Sequence, residues 1–483
     1  MIDLRPVLWG IGALLSLFAL AAMLPALADW LQDDADWPVF LAIAGLSLFI
    51  GLVLVLANLQ HRARQLSIRQ GILLVVFGWL VLAAAAALPF LFCHVHLDRS
   101  DAIFEAVSGI TATDATVLRR LDRVSPGILL WRALLQWLGG GGALTLGVLV
   151  LPRFNVGGME LFRTETTSLD DRLAYRAPRL LRGILLIYLS FTLVLAGLLV
   201  LAGIDPFAAL LEAMSTISCG GFSTSDRSIG QWHNAAADWV ILLGMLLGGA
   251  PFLWHWQLAR RQWRVARQNS QIRWYLALIM AAALAIALWL VLAQNTKPLV
   301  ALRQSLFAVT SVMTGTGFAT LDWSSWTGFP LALLFLLTFV GGCAGSTAGG
   351  IKVFRLQVLF ANARLQLRRL MRPHEVLLPR FEGRRMPESV AESVLGFVFV
   401  YTLSFALLGL ALSFCGMDFA PALAAAASAL ANLGPGISPA IGPLSSFADQ
   451  PDAAKWLLSA GMLFGRLEMF LVLAVFSRDF WRG

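Results

Sequence analysis

Four short motifs rich in glycine, serine and threonine recur in this chain at intervals of roughly one hundred residues, a spacing that signals internal duplication. They are Thr111-Ala112-Thr113-Asp114, Ser218-Cys219-Gly220-Gly221, Thr314-Gly315-Thr316-Gly317 and Leu433-Gly434-Pro435-Gly436. Glycine admits backbone conformations in which successive carbonyls face one line, and a threonine hydroxyl adds a further oxygen. A row of such oxygens replaces the hydration shell of a bare cation. A single motif of this kind is ordinarily a helix C-cap. Four of them, each behind a short apolar segment and between long apolar runs, imply one shared cation site. Ser108, Ser215 and Ser311 each stand six residues before the last position of the first three motifs.

A second glycine-rich stretch, GGCAGSTAGG at 341–350, follows the apolar run 330–340. In hydrocarbon an unpaired backbone N–H or C=O costs several kcal/mol, so non-helical backbone survives at membrane depth only inside protein or along a water-filled path. Gly345, Ser346, Thr347, Ala348, Gly349 and Gly350 are therefore expected to form a plug or gate below the third motif. Arg466 falls about ten residues into the last apolar run, where an arginine costs ~2.5 kcal/mol or more unless it is paired. The carbonyls of 345–350 would serve as partners; pairing with Glu468 or snorkelling to an interface are the alternatives. The spacing of Gly341, Gly345 and Gly349 also fits close helix packing.

The elements that carry these motifs follow from composition. With 58% hydrophobic and 13% charged residues, the 483-residue chain is a polytopic membrane protein and leaves no room for a soluble nucleotide-binding or catalytic domain. The net charge of +8 arises from basic residues clustered in alternate loops, the positive-inside pattern, and not from a nucleic-acid surface. Cys93, Cys219, Cys343 and Cys415 are scattered without paired spacing, which argues against a disulfide framework or a zinc ribbon. The first apolar run, about 7–28, is long enough to span and is expected to be a retained helix despite the small residues Ala26-Leu27-Ala28. A second span at about 38–58 follows it.

Four units come next, each a span, a short apolar segment and a second span, with short segments at 102–110, 207–217, 302–312 and 419–431. Second spans are expected at about 129–152, 238–257, the broken run after 330, and 455–477. A helix of ten to thirteen residues rises only ~15–20 Å, so the short segments must re-enter. Their C-terminal ends, partially negative, would then converge on a cation. The expected fold is an all-α polytopic membrane protein: two N-terminal transmembrane helices plus four span/re-entrant helix/span repeats around one pseudo-fourfold pore. The boundaries read as 1–69, 70–160, 161–262, 263–372 with the broken span, and 373–483. Every basic loop falls on one side, which places both termini in the cytoplasm.

The residues resemble the membrane subunit of the Trk/Ktr/HKT potassium-transporter family, specifically its bacterial TrkH type. The likeness rests on LLQWLGG (134–140), VGGMELFR (156–163), STISCGGFST (215–224), TGTGFAT (314–320), GGCAGSTAGGIKVFR (341–355), ANLGPG (431–436) and GRLEMF (465–470). It implies a potassium filter made by the four tips, with K+ as the bound ion, and no covalent cofactor. It makes 341–350 a gating loop with Arg466 facing it, and the inner membrane of a bacterium the location. It also implies a homodimer docked to a TrkA-like cytosolic nucleotide-binding regulatory subunit, with membrane lipid around it. Two positions depart from the family pattern, Asp114 and Ala348, where glycine is expected.

Other signals are weaker. Cys93, His94, His96 and Asp98 are metal-ligand types in a loop best read as interfacial. The basic segment 364–385 suits anionic lipid or a docked cytosolic protein. No catalytic set is present, so an enzyme is not expected. A secondary transporter coupling potassium to protons or sodium is the alternative to a pore, since broken helices serve both.

Overall fold

The computed structural model describes residues 2–61, 66–150, 173–372, 374, 380–381 and 384–482. The motif at 156–163, the basic positions Arg153, Arg163 and Arg172, and part of the basic segment 364–385 lie outside the described residues. The described chain is helical apart from a ribbon pairing Arg380–Phe381 with Arg384–Arg385 and one isolated bridge. Six of its helices are long and apolar enough to cross a membrane, or eight if two sharply bent pairs each count as one span.

Arg5–Leu31 and Trp37–Ala57 form an N-terminal pair. They cross closely because Gly12 faces the Gly51 carbonyl, where a side chain would approach to 2.7 Å. Trp131 locks this pair to the rest: its ring meets Phe18 at 5.1 Å and Phe40 at 6.0 Å, and its indole N–H donates to the Ala86 carbonyl at 3.1 Å.

Four short helices follow the long ones: Arg99–Thr111, Pro206–Ile217, Pro298–Thr314 and Phe419–Ala431. Proline at the start of the second and third, and the Asp205 carboxylate accepting from Phe207 and Ala208 N–H, satisfy or remove the free amides of the first turn. The third runs from Pro298, four residues earlier than the apolar run suggests, because Lys297 and Pro298 form an N-terminus that hydropathy does not register.

Each helix after a tip is interrupted: three depart from the continuous spans expected of them, and the one after the third tip is broken as expected. Pro126–Thr145 passes into a π-turn at Leu146–Val150. Ala235–Gly249 and Phe252–Ala259 meet at 99°, and Asp452–Arg466 and Met469–Phe476 meet at 109°. Between Phe329–Thr338 and Val353–Met371 the helix gives way to the glycine-rich loop. The expected spans over about 238–257 and 455–477 are thus two helices each. Ala250 is extended ahead of Pro251, as pre-proline sterics favour, and Glu468 adopts φ +60°. The three other breaks lie around the loop: the Phe252 N–H donates to the Gly345 carbonyl at 2.9 Å, Gly147 faces Gly345, and Arg466 reaches Thr347.

Candidate functional site

The four short helices end alike. The first residue past each helix, or the second, is left-handed, and so is the residue two further on: Ala112 and Asp114, Cys219 and Gly221, Gly315 and Gly317, Asn432 and Gly434. Each end carries the same pair of backbone hydrogen bonds. Ala112, Cys219, Gly315 and Asn432 N–H donate to the carbonyl three residues back, at 2.9, 3.1, 3.1 and 3.2 Å. Thr113, Gly220, Thr316 and Leu433 N–H donate to the carbonyls of Ser108, Ser215, Ser311 and Ser428 at 2.9, 2.8, 2.9 and 3.0 Å. These are helix caps in which two left-handed residues flank one residue of ordinary negative φ.

This pattern corrects the register of the fourth tip. By backbone conformation and hydrogen bonding, the counterpart of Thr314-Gly315-Thr316-Gly317 is Ala431-Asn432-Leu433-Gly434, two residues before Leu433-Gly434-Pro435-Gly436. Gly434, at φ +93°, takes the last position, while Gly436 is not left-handed. Ser428, six residues before Gly434, is the counterpart of Ser108, Ser215 and Ser311, and its hydroxyl donates to the Gly434 carbonyl at 2.7 Å.

The tips close into a ring. The third-position carbonyl of one tip lies against the α-carbon of the fourth position in its neighbour. A side chain at Gly221 would collide with the Thr316 carbonyl, and one at Gly434 with the Thr113 carbonyl. One at Gly317 would come within 2.7 Å of the Leu433 carbonyl. The order around the ring is therefore the order in the chain, with the first tip opposite the third. The Asp114 carboxylate oxygen Oδ2 lies against both Gly221 and Gly317.

Behind the ring is a buried polar frame. Glu105 accepts from Arg132 Nε at 2.9 Å, from the Thr116 hydroxyl at 2.9 Å and from Val117 N–H at 2.9 Å. Arg132 bridges to the second tip by donating to the Ser223 carbonyl at 3.1 Å, with its guanidinium 4.0 Å from the Phe222 ring centre. Glu212 holds the second tip in the same way, accepting from the Ser223 hydroxyl at 2.7 Å and Thr224 N–H at 3.0 Å. Gln136 donates to the Gly220 carbonyl at 2.7 Å and accepts from Phe222 N–H at 3.0 Å. Asn432 ties the fourth tip to the first by donating to the Thr113 hydroxyl at 3.0 Å. Although Gln136 and Asn432 fall within the motifs at 134–140 and 431–436, the frame side chains Glu105, Arg132, Glu212, Gln136 and Asn432 are not among the site residues expected from the sequence. Their signal was a glutamate nine residues before the last tip position in the first two repeats, a charge inside an apolar segment that must find a partner.

The loop lies against one end of the ring. Its neck is pinned where Gly341 N–H donates to the Ile351 carbonyl at 2.8 Å and Ile351 N–H to the Phe339 carbonyl at 3.2 Å. The Thr347 hydroxyl lies 2.9 Å from the Ile217 carbonyl and 3.1 Å from both the Gly248 carbonyl and Cys219 Sγ. A side chain at Gly349 would collide with the Ala431 carbonyl. Ala348 is buried, and its carbonyl accepts from the Lys352 ammonium. Ser346 donates to the Cys343 carbonyl at 2.6 Å, and Gly345 and Gly350 supply the left-handed corners at φ +72° and +70°.

Arg466 is buried and donates from Nη1 to the Thr347 carbonyl at 2.8 Å. Glu468 pairs instead with Arg355 at 2.7 Å, so the alternative partner for Arg466 is taken. The other Arg466 nitrogens, Nε and Nη2, have no partner among the described residues. A cavity of about 50 Å³ lined by Gly345, Ser346, Lys352, Arg355 and Arg466 lies on this side. At the opposite end of the ring, a cavity of about 310 Å³ is lined by Asp114, Thr116, Gly221, Ser223, Asp226 and Pro435. The arrangement is a ring of backbone oxygens between two cavities, obstructed on one side by a loop that a buried cation holds.

Of the loop residues considered as metal ligands, His94 comes near Asp34 and Asp36. Its Nδ1 lies 2.5 Å from Asp36 and its N–H also donates to that carboxylate, an ion pair that accounts for the grouping. Hydrogen bonding to Asp36 raises the imidazole pKa above its ordinary 6.5.

The chain matches the TrkH family model, described as a cation transport protein, over residues 40–481. It is 37% identical to the Trk system potassium uptake protein TrkI of Halomonas elongata, across 99% of this chain and 97% of that protein. It is 35% identical to the Trk system potassium uptake protein TrkH of Escherichia coli, with 98% of each covered. The crystal structure of the potassium transporter TrkH from Vibrio parahaemolyticus superposes with a TM-score of 0.91 at 35% identity, covering 100% of both chains.

Proposed function

Because this chain belongs to the TrkH family of cation transport proteins, we propose that it takes up potassium through a channel-like pore on the axis of the four tips. It is a membrane transport protein and not an enzyme. The observation that carries the pore reading is the repeated left-handed pair at four helix ends, closed into a ring by carbonyls packed on glycines. Such a ring supplies oxygens to a dehydrating cation at fixed spacing. The filter comprises Thr111 to Asp114, Ser218 to Gly221, Thr314 to Gly317 and Ala431 to Gly434. Leu433 and Gly434 keep the role expected of them, whereas Pro435 lies just beyond the ring, lining the larger cavity, and Gly436 packs against Ile441.

In this reading 345–350 is the gate, held shut beneath the filter by the Arg466–Thr347 hydrogen bond. The driving force is the membrane potential, ~2.3 kcal/mol per charge per 100 mV. Both termini lie in the cytoplasm of a bacterial cell, so the loop-side cavity is internal and the larger cavity external. A TrkA-like nucleotide-binding subunit docking on a homodimer is proposed as the regulator. Support for a cytoplasmic docking face comes from Arg364 and Arg368, exposed on the helix that leaves the loop.

The test is rubidium uptake into proteoliposomes under an imposed inside-negative potential, with sodium as competitor. Uptake that follows the potential and resists sodium supports the pore. Uptake that requires a sodium or proton gradient supports coupled transport, the second reading, which is favoured by the carboxylate of Asp114 within the ring.

A further inference from the structure

Asp114 is the only non-glycine residue at the fourth position of the ring, and its side chain occupies a particular place. Glycine at this position in the second, third and fourth tips leaves the space above the ring open. The Asp114 carboxylate fills it, with Oδ2 against Gly221 of the adjacent tip and Gly317 of the opposite tip. In a ring of four, the place that touches both an adjacent and an opposite member is the axis. The carboxylate therefore lies across the path of any ion that enters the tips, at the floor of the 310 Å³ cavity.

The other acidic groups at this end each bond to protein partners, although Glu212 does so through Oε1 alone, its Oε2 having no hydrogen-bond partner among the described residues. Glu105 is paired with Arg132, and Glu212 accepts from Ser223 and Thr224. Asp226 accepts from Arg120 N–H at 2.8 Å, and Asp449 pairs with Arg119. Among the described residues no donor or cation lies within hydrogen-bond or ion-pair distance of the Asp114 carboxylate. A carboxylate left without a protein partner, beside a ring of carbonyls and under a water-accessible cavity, has the makings of a hard-cation site. Calcium takes six to eight oxygen ligands, including carboxylates, carbonyls and water, and tolerates irregular geometry. A divalent ion also doubles the Coulomb attraction to a fixed charge.

Resting on the pore reading above, we propose that Asp114 and the adjoining tip carbonyls form an external binding site for a divalent alkaline-earth cation, which competes there with the transported ion. External calcium then blocks uptake, and the block deepens as the interior becomes more negative, because the field pulls the divalent ion toward the ring.

Two measurements test this on the purified, reconstituted full chain and on Asp114→Asn and Asp114→Gly. The first is rubidium uptake against external calcium chloride, with each variant scaled to its own calcium-free flux. The half-blocking concentration rises by about tenfold or more in both variants. The second is equilibrium binding of radioactive calcium to detergent-purified protein, which needs no flux. The native chain binds one calcium per chain that the Asn variant does not. Equal calcium binding by native and Asn proteins overturns the proposal, as does equal block of native and variant uptake. Asp114-dependent binding in a chain that carries no rubidium even as Arg466→Ala, which releases the gate, keeps the site and sinks the pore.

Discussion

Replacing Arg466 separates two effects that the structure assigns to one side chain. The guanidinium donates to the Thr347 carbonyl at 2.8 Å from a buried position, tying the loop to the last helix. A hydrogen bond from a charged donor in such a place is worth about 1.5–3 kcal/mol. Losing it raises the loop's opening equilibrium about 10- to 150-fold. The same group also places a full positive charge beside the path. A cation passing at about 6 Å, with an effective dielectric of 20, meets a barrier of about 3 kcal/mol. Arg466→Ala removes both effects, Arg466→Gln keeps a donor and removes the charge, and Arg466→Lys keeps the charge. Rubidium leak in the absence of any cytosolic partner is the assay, with the thermal unfolding midpoint in detergent as the check on folding. Leak rises in the order native, Lys, Gln, Ala, and reaches its ceiling when the loop is open all the time. Equal leak in folded native and Ala proteins refutes both the tether and the barrier.

Other expectations concern the frame around the ring. Gly434→Ala forces a side chain into the Thr113 carbonyl at φ +93°, whereas Gly436→Ala meets mainly the flexible end of Ile441. Rubidium-over-sodium preference therefore collapses in the first and survives in the second, and the reverse result restores the discarded register. Arg132→Ala leaves Glu105 buried without its ion partner, at a cost of about 3–5 kcal/mol, and lowers the unfolding midpoint by several degrees; Arg132→Ala with Glu105→Gln recovers part of the loss. His94 has a raised pKa in the folded chain, so its pairing with Asp36 stabilises fully below about pH 6.5 and is lost as pH rises through the raised value. The midpoint difference between native and His94→Ala shrinks between pH 6 and 9; a difference constant across that range excludes the ion pair.

Much of this architecture was legible because lipid removes choices. Long apolar runs, short ones that cannot cross, and glycine clusters at membrane depth each have few structural outcomes. The placement of 345–350 against the tips and the pairing of Arg466 with a loop carbonyl follow from that economy. The fourth tip was misplaced because Gly434-Pro435-Gly436 offers the same glycine spacing as Gly315-Thr316-Gly317, two residues late. Ser428 held the correct register, since the serine six residues before the last tip position is what each third-position N–H binds. The frame was illegible for another reason: Arg132 and Ser223 are 91 residues apart, and no local pattern pairs them. The break at 467–468 has no glycine or proline to announce it. It forms where Glu468 leaves the helix to meet Arg355, a partner 113 residues away.

Passive conduction of potassium through a ring of four tips, along its electrochemical gradient, is what separates a pore from a coupled transporter. Its most direct test is the reversal potential of single-chain preparations in planar bilayers, with the potassium gradient fixed and the sodium and proton gradients varied in turn. The pore account predicts a reversal at the potassium equilibrium potential that neither of the other gradients moves. A reversal that shifts with the proton or sodium gradient contradicts it and makes the chain a coupled transporter.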